Sequence, residues 1–437
     1  MRITTLAGCC ALVLSLNSGS ALANNLMDVY QMAVENDPTI IASEYQRRAS
    51  EAAVDLAKSA RMPTMGASIS GGETVLHSSD LHQRDMTSVV QATLPLYNRG
   101  DNISVEQARS QRAAANADHA DQRQSLISRT AEAYFGVLRA QDNVTFAKAE
   151  REAIYRQLDQ AERRYDVGLV AITDVKEAQA SYDSAVASVI SAENQLNSAN
   201  ESLRVMTNSY VDNLHVLREQ VALLPPAPNN VDIWVKTAFN QNPTVLAARE
   251  DLATAKLNVK QAGVGRYPSL DLVGTYQDAD YDGSKAYSRD SESHSVELQL
   301  TVPIYTGGAV SSSKRQARFA ALASEKTLEG IERNIERNVR TAFSTVEARI
   351  SQVKALKRAL ESNEVRLEAT EAGYDAGTRT AVDVLNAIRG TSSAAAQYAG
   401  ARYDYILAML DLQASVGLLG QQDLAMFNDW LEKPKAK

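Results

Sequence analysis

Residues 328–353 read LEGIERNIERNVRTAFSTVEARISQV, and their apolar side chains recur at spacings of three and four. The apolar positions are Leu328, Ile331, Ile335, Val339, Phe343, Val346, Ile350 and Val353. This spacing places them along one face of an α-helix. The surrounding sequence contains no proline between Pro303 and Pro434, and another proline-free stretch runs from Pro95 to Pro225. The sequence therefore predicts two very long helical regions.

A helix over residues 101–167 would be about 100 Å long at 1.5 Å per residue, which no compact globular domain accommodates. Each long helix is predicted to end at a glycine, Gly168 or Gly377, because the C-terminal cap of a helix favours a left-handed residue. A second helical pattern begins within a few residues of each glycine. We therefore predict two antiparallel coiled-coil hairpins with tight tips, at about residues 101–208 and 309–417.

Matching motifs indicate that the chain contains two copies of one unit of about 205 residues. The prolines carry this signal, with offsets of 205, 205 and 208 residues, since Pro38, Pro63 and Pro95 recur as Pro243, Pro268 and Pro303. The two repeats are predicted at residues 24–224 and 231–420. A proline-rich linker at residues 225–230 separates them, because such a run cannot be helical. Residues 421–437 are predicted to form a C-terminal segment and tail.

Four segments of the chain alternate between polar and apolar residues with period two. In one of them, Leu270, Leu272 and Tyr276 alternate with Asp271 and Thr275. Such alternation predicts strands with one apolar face, at about residues 64–73, 87–97, 268–279 and 294–305. The loops between these strands are predicted to be polar, at residues 77–85 and 278–292.

The predicted strands are typical of a transmembrane β-barrel, because each is about ten residues long with one apolar face. The alternative is a soluble sheet with one buried face, which is disfavoured since no other segment supplies an obvious covering layer. Four strands cannot close a barrel, which needs about eight, and lipid tolerates no open sheet edge. Two chains would give eight strands and three would give twelve. Because an aqueous lumen needs the larger ring, a conduit favours three chains.

Residues 1–23 have the pattern of a secretory signal peptide. Arg2 is followed by an apolar stretch over residues 6–16, and residues 21–23 form an A-x-A cleavage site. A lipoprotein box that would acylate Cys9 is the alternative, and it is disfavoured because the apolar stretch before Cys9 is short. Cleavage after Ala23 would remove both cysteines of the chain, which suits an oxidising compartment.

The composition argues against an enzyme and against nucleic-acid binding. The formal net charge is −8, whereas non-specific nucleic-acid binding needs clustered basic residues. The five histidines have no metal-ligand spacing, and the chain has no phosphate-binding loop, dinucleotide fingerprint or nucleophile elbow. Glutamate and arginine alternate along the predicted helices, as in residues 331–337, which is typical of a solvated face. We therefore predict no catalytic residue, cofactor or metal.

Three motifs together resemble the TolC family of trimeric outer-membrane channels, which serve drug efflux and type I secretion. The motifs are RYDVGLVAITDV at residues 164–175, AGYDAGTRTAVDVL at residues 372–385 and LTVPIYTGG at residues 300–308. The resemblance covers essentially the whole chain after the signal peptide. It implies a mainly α-helical fold with membrane strands: coiled-coil hairpins form an α-barrel tunnel across the periplasm, below a twelve-stranded trimeric β-barrel in the outer membrane of a Gram-negative bacterium.

The resemblance also implies partners and a gate. The periplasmic tip would dock a periplasmic adaptor (membrane fusion) protein, which is tied to an inner-membrane pump of RND or ABC type. Thr173 and Asp174 would face Tyr374 and Arg379 in polar bridges between neighbouring helices. Such charge-assisted hydrogen bonds are stronger than hydrogen bonds between neutral groups. The resemblance thus implies a passive exit duct that opens when the bridges break.

The resemblance further implies a lumen constriction at two positions one helical turn apart, which are Asp383 and Asn386 here. Three Asp383 carboxylates would make an anionic, cation-selective ring. Asn386 departs from the family's aspartate, so we expect weaker binding of multivalent cations. A structural alternative is that Thr380 and Asp383 form a helix capping box.

Four tip residues are assigned to adaptor docking by their place in the matched motifs: Gly168, Leu169, Gly377 and Thr378. The two glycines also fit a purely structural capping role. Asp174 likewise fits the first turn of a helix, where the macrodipole favours a carboxylate. A periplasmic coiled-coil adaptor and a structural coiled-coil protein are the alternative functions, and the four alternating segments argue against both.

Overall fold

The computed structural model describes residues 25–76, 81–219, 221–282 and 290–433. The predicted signal peptide, residues 1–23, lies outside the described residues. So do residues 434–437 of the predicted tail and parts of both predicted polar loops, namely residues 77–80 and 283–289.

The two repeats have the same order of elements. The first contains α1 (Leu26–Asn36), α2 (Pro38–Ser59), β1 (Thr64–Leu76), β2 (Leu81–Tyr97), α3 (Arg99–Asp166), α4 (Ile172–Thr207) and the short β3 (Val216–Leu217). The second contains α5 (Val231–Gln241), α6 (Pro243–Gln261), β4 (Ser269–Asp282), β5 (Ser291–Thr301), α7 (Ala309–Asp375) and α8 (Ala381–Val416). The chain continues into α9 (Gln421–Asn428) and β6 (Leu431–Glu432), which pairs with β3.

Pro38 and its counterpart Pro243 occupy matching positions because each begins a helix that the sequence analysis did not predict. Pro38 is the first residue of α2, where its missing N–H costs nothing. The Asp37 carboxylate caps this helix by accepting hydrogen bonds from the backbone N–H groups of Thr39 and Ile40, at 2.8 and 3.1 Å. Asn242 caps α6 in the same way. The four short helices α1, α2, α5 and α6 were not predicted.

The four long strands form one antiparallel sheet in the order β1-β2-β4-β5. Its register places apolar side chains opposite each other on one face: Val90 lies opposite Ala67 in β1 and Tyr276 in β4, and Leu272 lies opposite Leu298 in β5. Side chains of this face are exposed in the single chain. The outer edges of β1 and β5 have no partner strand among the described residues.

Several strand limits differ from the sequence predictions. β1, β2 and β4 are longer than predicted, because pairing continues toward the polar loops. β5 begins earlier than predicted and ends at Thr301, so residues 302–305 are not part of a strand. Thr301 pairs with Ser269, the first residue of β4, so β4 offers residues 302–305 no partner. The outer edge of β5 has no partner strand among the described residues either.

The main apolar core lies where the short helices pack around the middle of the long ones. Its largest fully buried side chains include Tyr134 and Phe135 of α3 and Tyr405 of α8. The Tyr134 hydroxyl donates to the His215 carbonyl oxygen at 2.8 Å, and the Tyr405 hydroxyl donates to that of Leu224 at 2.9 Å. These bonds hold the segments between the repeats against the helices. Over the described ranges, no helix is both long and apolar enough to cross a membrane.

Candidate functional site

Both hairpins end in a tip with the same backbone geometry. Gly168 and Gly377 have φ values of 76° and 74°, in the left-handed region that favours glycine. The N–H of Gly168 donates to the Tyr165 carbonyl oxygen, and the N–H of Leu169 donates to that of Arg164, both at 2.9 Å. The same pair of bonds recurs around Gly377. This double bond pattern closes the helix end and lets the chain reverse within a few residues.

A cation–π contact connects the two tips within one chain. The Arg164 guanidinium carbon lies 4.5 Å from the centroid of the Tyr374 ring, and Arg164 Nη2 lies 2.9 Å from Asp375 Oδ1. Tyr374 is buried in a small apolar cluster that also includes Ile154, Val384 and Leu385. Arg164 lies inside the matched motif at residues 164–175, yet the sequence reasoning gave it no role. Its position one turn before Gly168 was the signal that could have identified it.

The four predicted gate residues lie at these tips, and the structure does not join them within one chain. Thr173 and Asp174 are in the first turn of α4, whereas Tyr374 is in the last turn of α7. Arg379 lies two residues after Gly377. Among the described residues, no hydrogen bond or ion pair connects Thr173 or Asp174 to Tyr374 or Arg379. The predicted bridges between chains stay a prediction.

The structural alternative for Asp383 is present. The Asp383 N–H donates to the Thr380 hydroxyl oxygen at 3.2 Å, and the Thr380 N–H donates to Asp383 Oδ2 at 3.0 Å. These bonds form a capping box at the start of α8. Hydrogen bonds from the Thr380 backbone N–H and hydroxyl lower the pKa of Asp383, so its carboxylate keeps its charge. A capping role does not exclude a role in the lumen.

The two predicted constriction residues share the open side of α8. Asn386 is exposed and Asp383 is partly exposed, whereas Val384, Leu385 and Ile388 are buried against the rest of the chain. The helical spacing therefore leaves both polar side chains free to face a common space outside the single chain. The ring itself stays a prediction.

Further from the tips, polar contacts join the two repeats. Asp404 of α8 forms ion pairs with Arg139 of α3 and with Arg349 of α7, the second at 3.4 Å. The Tyr403 hydroxyl donates to Asp142 Oδ2 at 2.7 Å. Burial raises the pKa of Asp142, although this hydrogen bond acts in the opposite direction. The sequence offered no spacing signal for this network, because its members lie on three helices.

Metal binding has no support from the geometry. In the part of the chain that the structure describes, no group of three or more His, Cys, Asp and Glu side chains could hold a metal ion. The candidate functional features of the chain are therefore the two capped tips, the open face of α8 and the sheet with its two open edges.

A family model described as "Outer membrane efflux protein" matches residues 29–209 and 234–418, one segment in each repeat. The chain belongs to this family. The outer membrane protein TolC of Vibrio cholerae is 37% identical over 425 residues, which cover 96% of this chain and 96% of that relative. The alkaline protease secretion protein AprF of Pseudomonas aeruginosa is 26% identical over 418 residues, which cover 93% of this chain and 87% of the relative.

The fold agrees with a solved channel. The CmeC outer membrane channel of Campylobacter jejuni superimposes with a TM-score of 0.77 at 17% identity, and the match covers 93% of this chain and 90% of that one. The family match and the TolC relative confirm the predicted resemblance to the TolC family. The hairpins build a helical tunnel and the strands contribute to a membrane barrel.

The predicted general function follows from this membership. The chain is an outer-membrane exit channel of efflux pumps and type I secretion, with a large periplasmic part. Membership decides against the periplasmic adaptor and the structural coiled-coil protein. The matched family and the matched solved structure are efflux and channel proteins rather than enzymes.

Proposed function

We propose that three copies of this chain form a passive, gated exit duct with a twelve-stranded barrel above a helical tunnel. The observation that carries this proposal is the open sheet. The outer edges of β1 and β5 lack a partner within the described chain, and lipid tolerates no such edge. Three chains with four long strands each supply twelve strands, enough for an aqueous lumen.

The internal repeat predicts how neighbouring chains pair. Within the chain, β2 pairs with β4, and Ala92 lies opposite Gly274. β5 corresponds to β2 with an offset of 208 residues, and β1 corresponds to β4 with an offset of 205. The same pairing between chains therefore places Leu300 of β5 opposite Ile69 of the next chain's β1. Both side chains are exposed in the single chain and belong to the apolar face.

This register also accounts for the early end of β5. Residues 302–305 correspond to residues 94–97 of β2, of which Leu94, Pro95 and Tyr97 pair with β4. Tyr305 is 87% exposed in the single chain, whereas its counterpart Tyr97 is 43% exposed. A neighbouring β1 would supply the missing partner, and β5 would then continue past Thr301.

The proposed gate lies at the tips. Neither Asp174 nor Arg379 makes a side-chain hydrogen bond or ion pair within the described chain, although the positive charge of Arg379 helps to lower the pKa of Asp383. Both are free to bridge to a neighbouring chain, with Thr173 and Tyr374 completing the network. Asp383 would form a charged ring and Asn386 a neutral ring inside the tunnel.

Adaptor docking is proposed for the outermost surface of the tips. Leu169 is 74% exposed there, next to Gly168, and Thr378 follows Gly377 in the second tip. Contact with a partner protein would bury this exposed leucine, and burial of an apolar side chain is favourable. The adaptor would be a periplasmic protein connected to an inner-membrane pump.

Single-channel conductance in a planar bilayer tests the gate. We expect a small, cation-selective conductance for the wild type, and a severalfold larger one for Arg379→Ser because a bridge between chains is lost. Arg163→Ser is the matched control, since Arg163 is an exposed arginine near the first tip whose ion pair is with Asp159 of its own helix. Equal conductance of Arg379→Ser and the wild type would overturn the gate, and a protein found dissolved in the periplasm would overturn the duct.

A further inference from the structure

A cavity interrupts the packing between the tip and the main core. The main apolar core reaches Val353 on α7 and Ala401 on α8, and the tip cluster resumes at Tyr374 and Ile388. Between them lies a cavity of about 230 Å³, bounded by α3 on one side and by α7 and α8 on the other. The cavity is open to solvent on one side, so a small ligand can enter it without any helix moving.

The small side chains of α8 account for the gap. Residues 391–396 read TSSAAA, and Ala395 lines the cavity where a larger residue would fill it. The Ser392 hydroxyl donates to the Phe146 carbonyl oxygen at 3.4 Å, and the Thr391 hydroxyl donates to the Asn363 carbonyl oxygen at 3.1 Å. The hydroxyl groups of the wall are therefore already used.

The remaining lining has two chemical characters. Phe146, Leu360 and Ile388 contribute apolar surface, and Glu150 of α3 and Glu364 of α7 contribute carboxylates from opposite walls. Neither glutamate has an ion-pair partner among the residues the structure describes. Unpaired carboxylates at an apolar recess complement a ligand with an apolar body and a positive charge.

The helical spacing of α8 sets the direction in which the cavity opens. Its lining residues Ile388, Thr391, Ser392 and Ala395 follow an i, i+3, i+4, i+7 stripe. At 100° per residue, this stripe lies roughly opposite the face of Asp383 and Asn386. If those two face the lumen, as proposed above, the cavity opens on the outer side of the tunnel wall and is reached from the periplasm.

We propose that this cavity is a binding site for a hydrophobic ammonium ligand, such as an amine with one aromatic ring. The ring occupies the recess between Phe146, Leu360 and Ile388, and the ammonium group contacts Glu150 and Glu364. Such a ligand touches α3 and the α7–α8 hairpin at once, so its binding connects the two hairpins of one chain.

Calorimetric titration of the full-length protein in detergent with phenethylammonium tests the site, with the neutral 2-phenylethanol as the isosteric comparison. We expect saturable binding of the amine and weaker binding of the alcohol. Glu150→Gln and Glu364→Gln should each weaken amine binding about two- to fivefold, as expected for exposed charge pairs. In the double variant, the amine should bind no better than the alcohol.

Two further variants separate the site from general effects. Glu361→Gln removes an exposed carboxylate of α7 that does not line the cavity, and it should leave amine binding unchanged. Ala395→Met fills the recess and should abolish binding of both ligands, while thermal unfolding reports whether this variant is folded. The proposal is overturned if the wild type shows no saturable binding, as when a neighbouring chain covers the cavity. It is equally overturned if the alcohol binds as tightly as the amine. Because binding is measured without conductance, failure of the gate would leave this result unaffected.

Discussion

Asp142 shows how a single buried carboxylate can make stability depend on pH. Burial raises its pKa above the ordinary value, although the Tyr403 hydroxyl donates to it. The folded chain therefore holds the Asp142 proton more tightly than the unfolded chain does. Between the ordinary pKa of 3.8 and the raised value, folding takes up a proton, so this group's contribution to stability is full at low pH and decreases as pH rises.

This decrease in stability with rising pH gives the first prediction. In Asp142→Asn, the amide cannot ionise, so the variant should lack this loss of stability with rising pH. As pH rises from about 3.8, the unfolding temperature of the wild type should therefore fall relative to that of the variant. Thermal unfolding in detergent over a pH series measures it. Glu368→Gln is the control, because Glu368 is an exposed carboxylate of α7 with no ion pair among the described residues. A difference that stays constant over the series would contradict the burial argument.

Residue roles were the part of the site that the sequence predicted least well. The repeated glycines and the Thr380–Asp383 spacing could be interpreted locally, because capping involves residues only a few positions apart. Arg164 could not be paired with Tyr374 from the sequence, since that contact joins two repeats. Bridges between chains are still harder to predict from the sequence, because they depend on the symmetry of an assembly.

At the scale of elements, the long helices were the easiest to predict and the short ones were missed. A proline-free apolar stripe identifies α7 over many turns, whereas α1 and α5 are only 11 residues each and are stabilised by packing on the long helices. Strand positions followed from alternation, but the end of β5 did not. A strand limit depends on the neighbour that pairs with it, and the repeat suggests that this neighbour belongs to another chain.

The predicted register between chains gives the second prediction. An Ile69→Cys, Leu300→Cys double variant should form disulfides between chains, because directly opposite residues of antiparallel strands have Cβ atoms about 4.5–5.5 Å apart. Denaturing electrophoresis without reductant should then show covalent dimers and trimers. Ile69→Cys, Val296→Cys is the matched control, with the second cysteine four residues along the same face. Cross-linking of the control in preference to the first pair would exclude the register.

At the scale of the whole molecule, Asp404 connects the repeats. It lies on α8 and pairs with Arg139 of α3 in the first repeat and with Arg349 of α7 in the second. Its side chain is 28% exposed, so these pairs are less screened by solvent than those of the outer surface. One carboxylate thus holds three long helices near the middle of the tunnel.

The third prediction follows from this connection. Asp404→Asn should lower the free energy of unfolding by about 1–3 kcal/mol, because two arginines lose a charged partner. Glu201→Gln, which affects an exposed ion pair within α4, should change it by less than about 1 kcal/mol. Denaturant titration in detergent compares the two variants. An equal effect of both substitutions would mean that Asp404 has no special role in joining the repeats.

The matched lengths of the hairpins limit how a channel of this kind can evolve. α3 and α7 have 68 and 67 residues, and α4 and α8 have 36 each. An insertion of two helical turns in one arm alone would shift one tip by about 10 Å relative to the other. A longer or shorter tunnel therefore requires matched insertions or deletions in four separate places of one gene. Point substitutions can readily alter the surface of the tunnel, but its length is inherited almost as a fixed quantity.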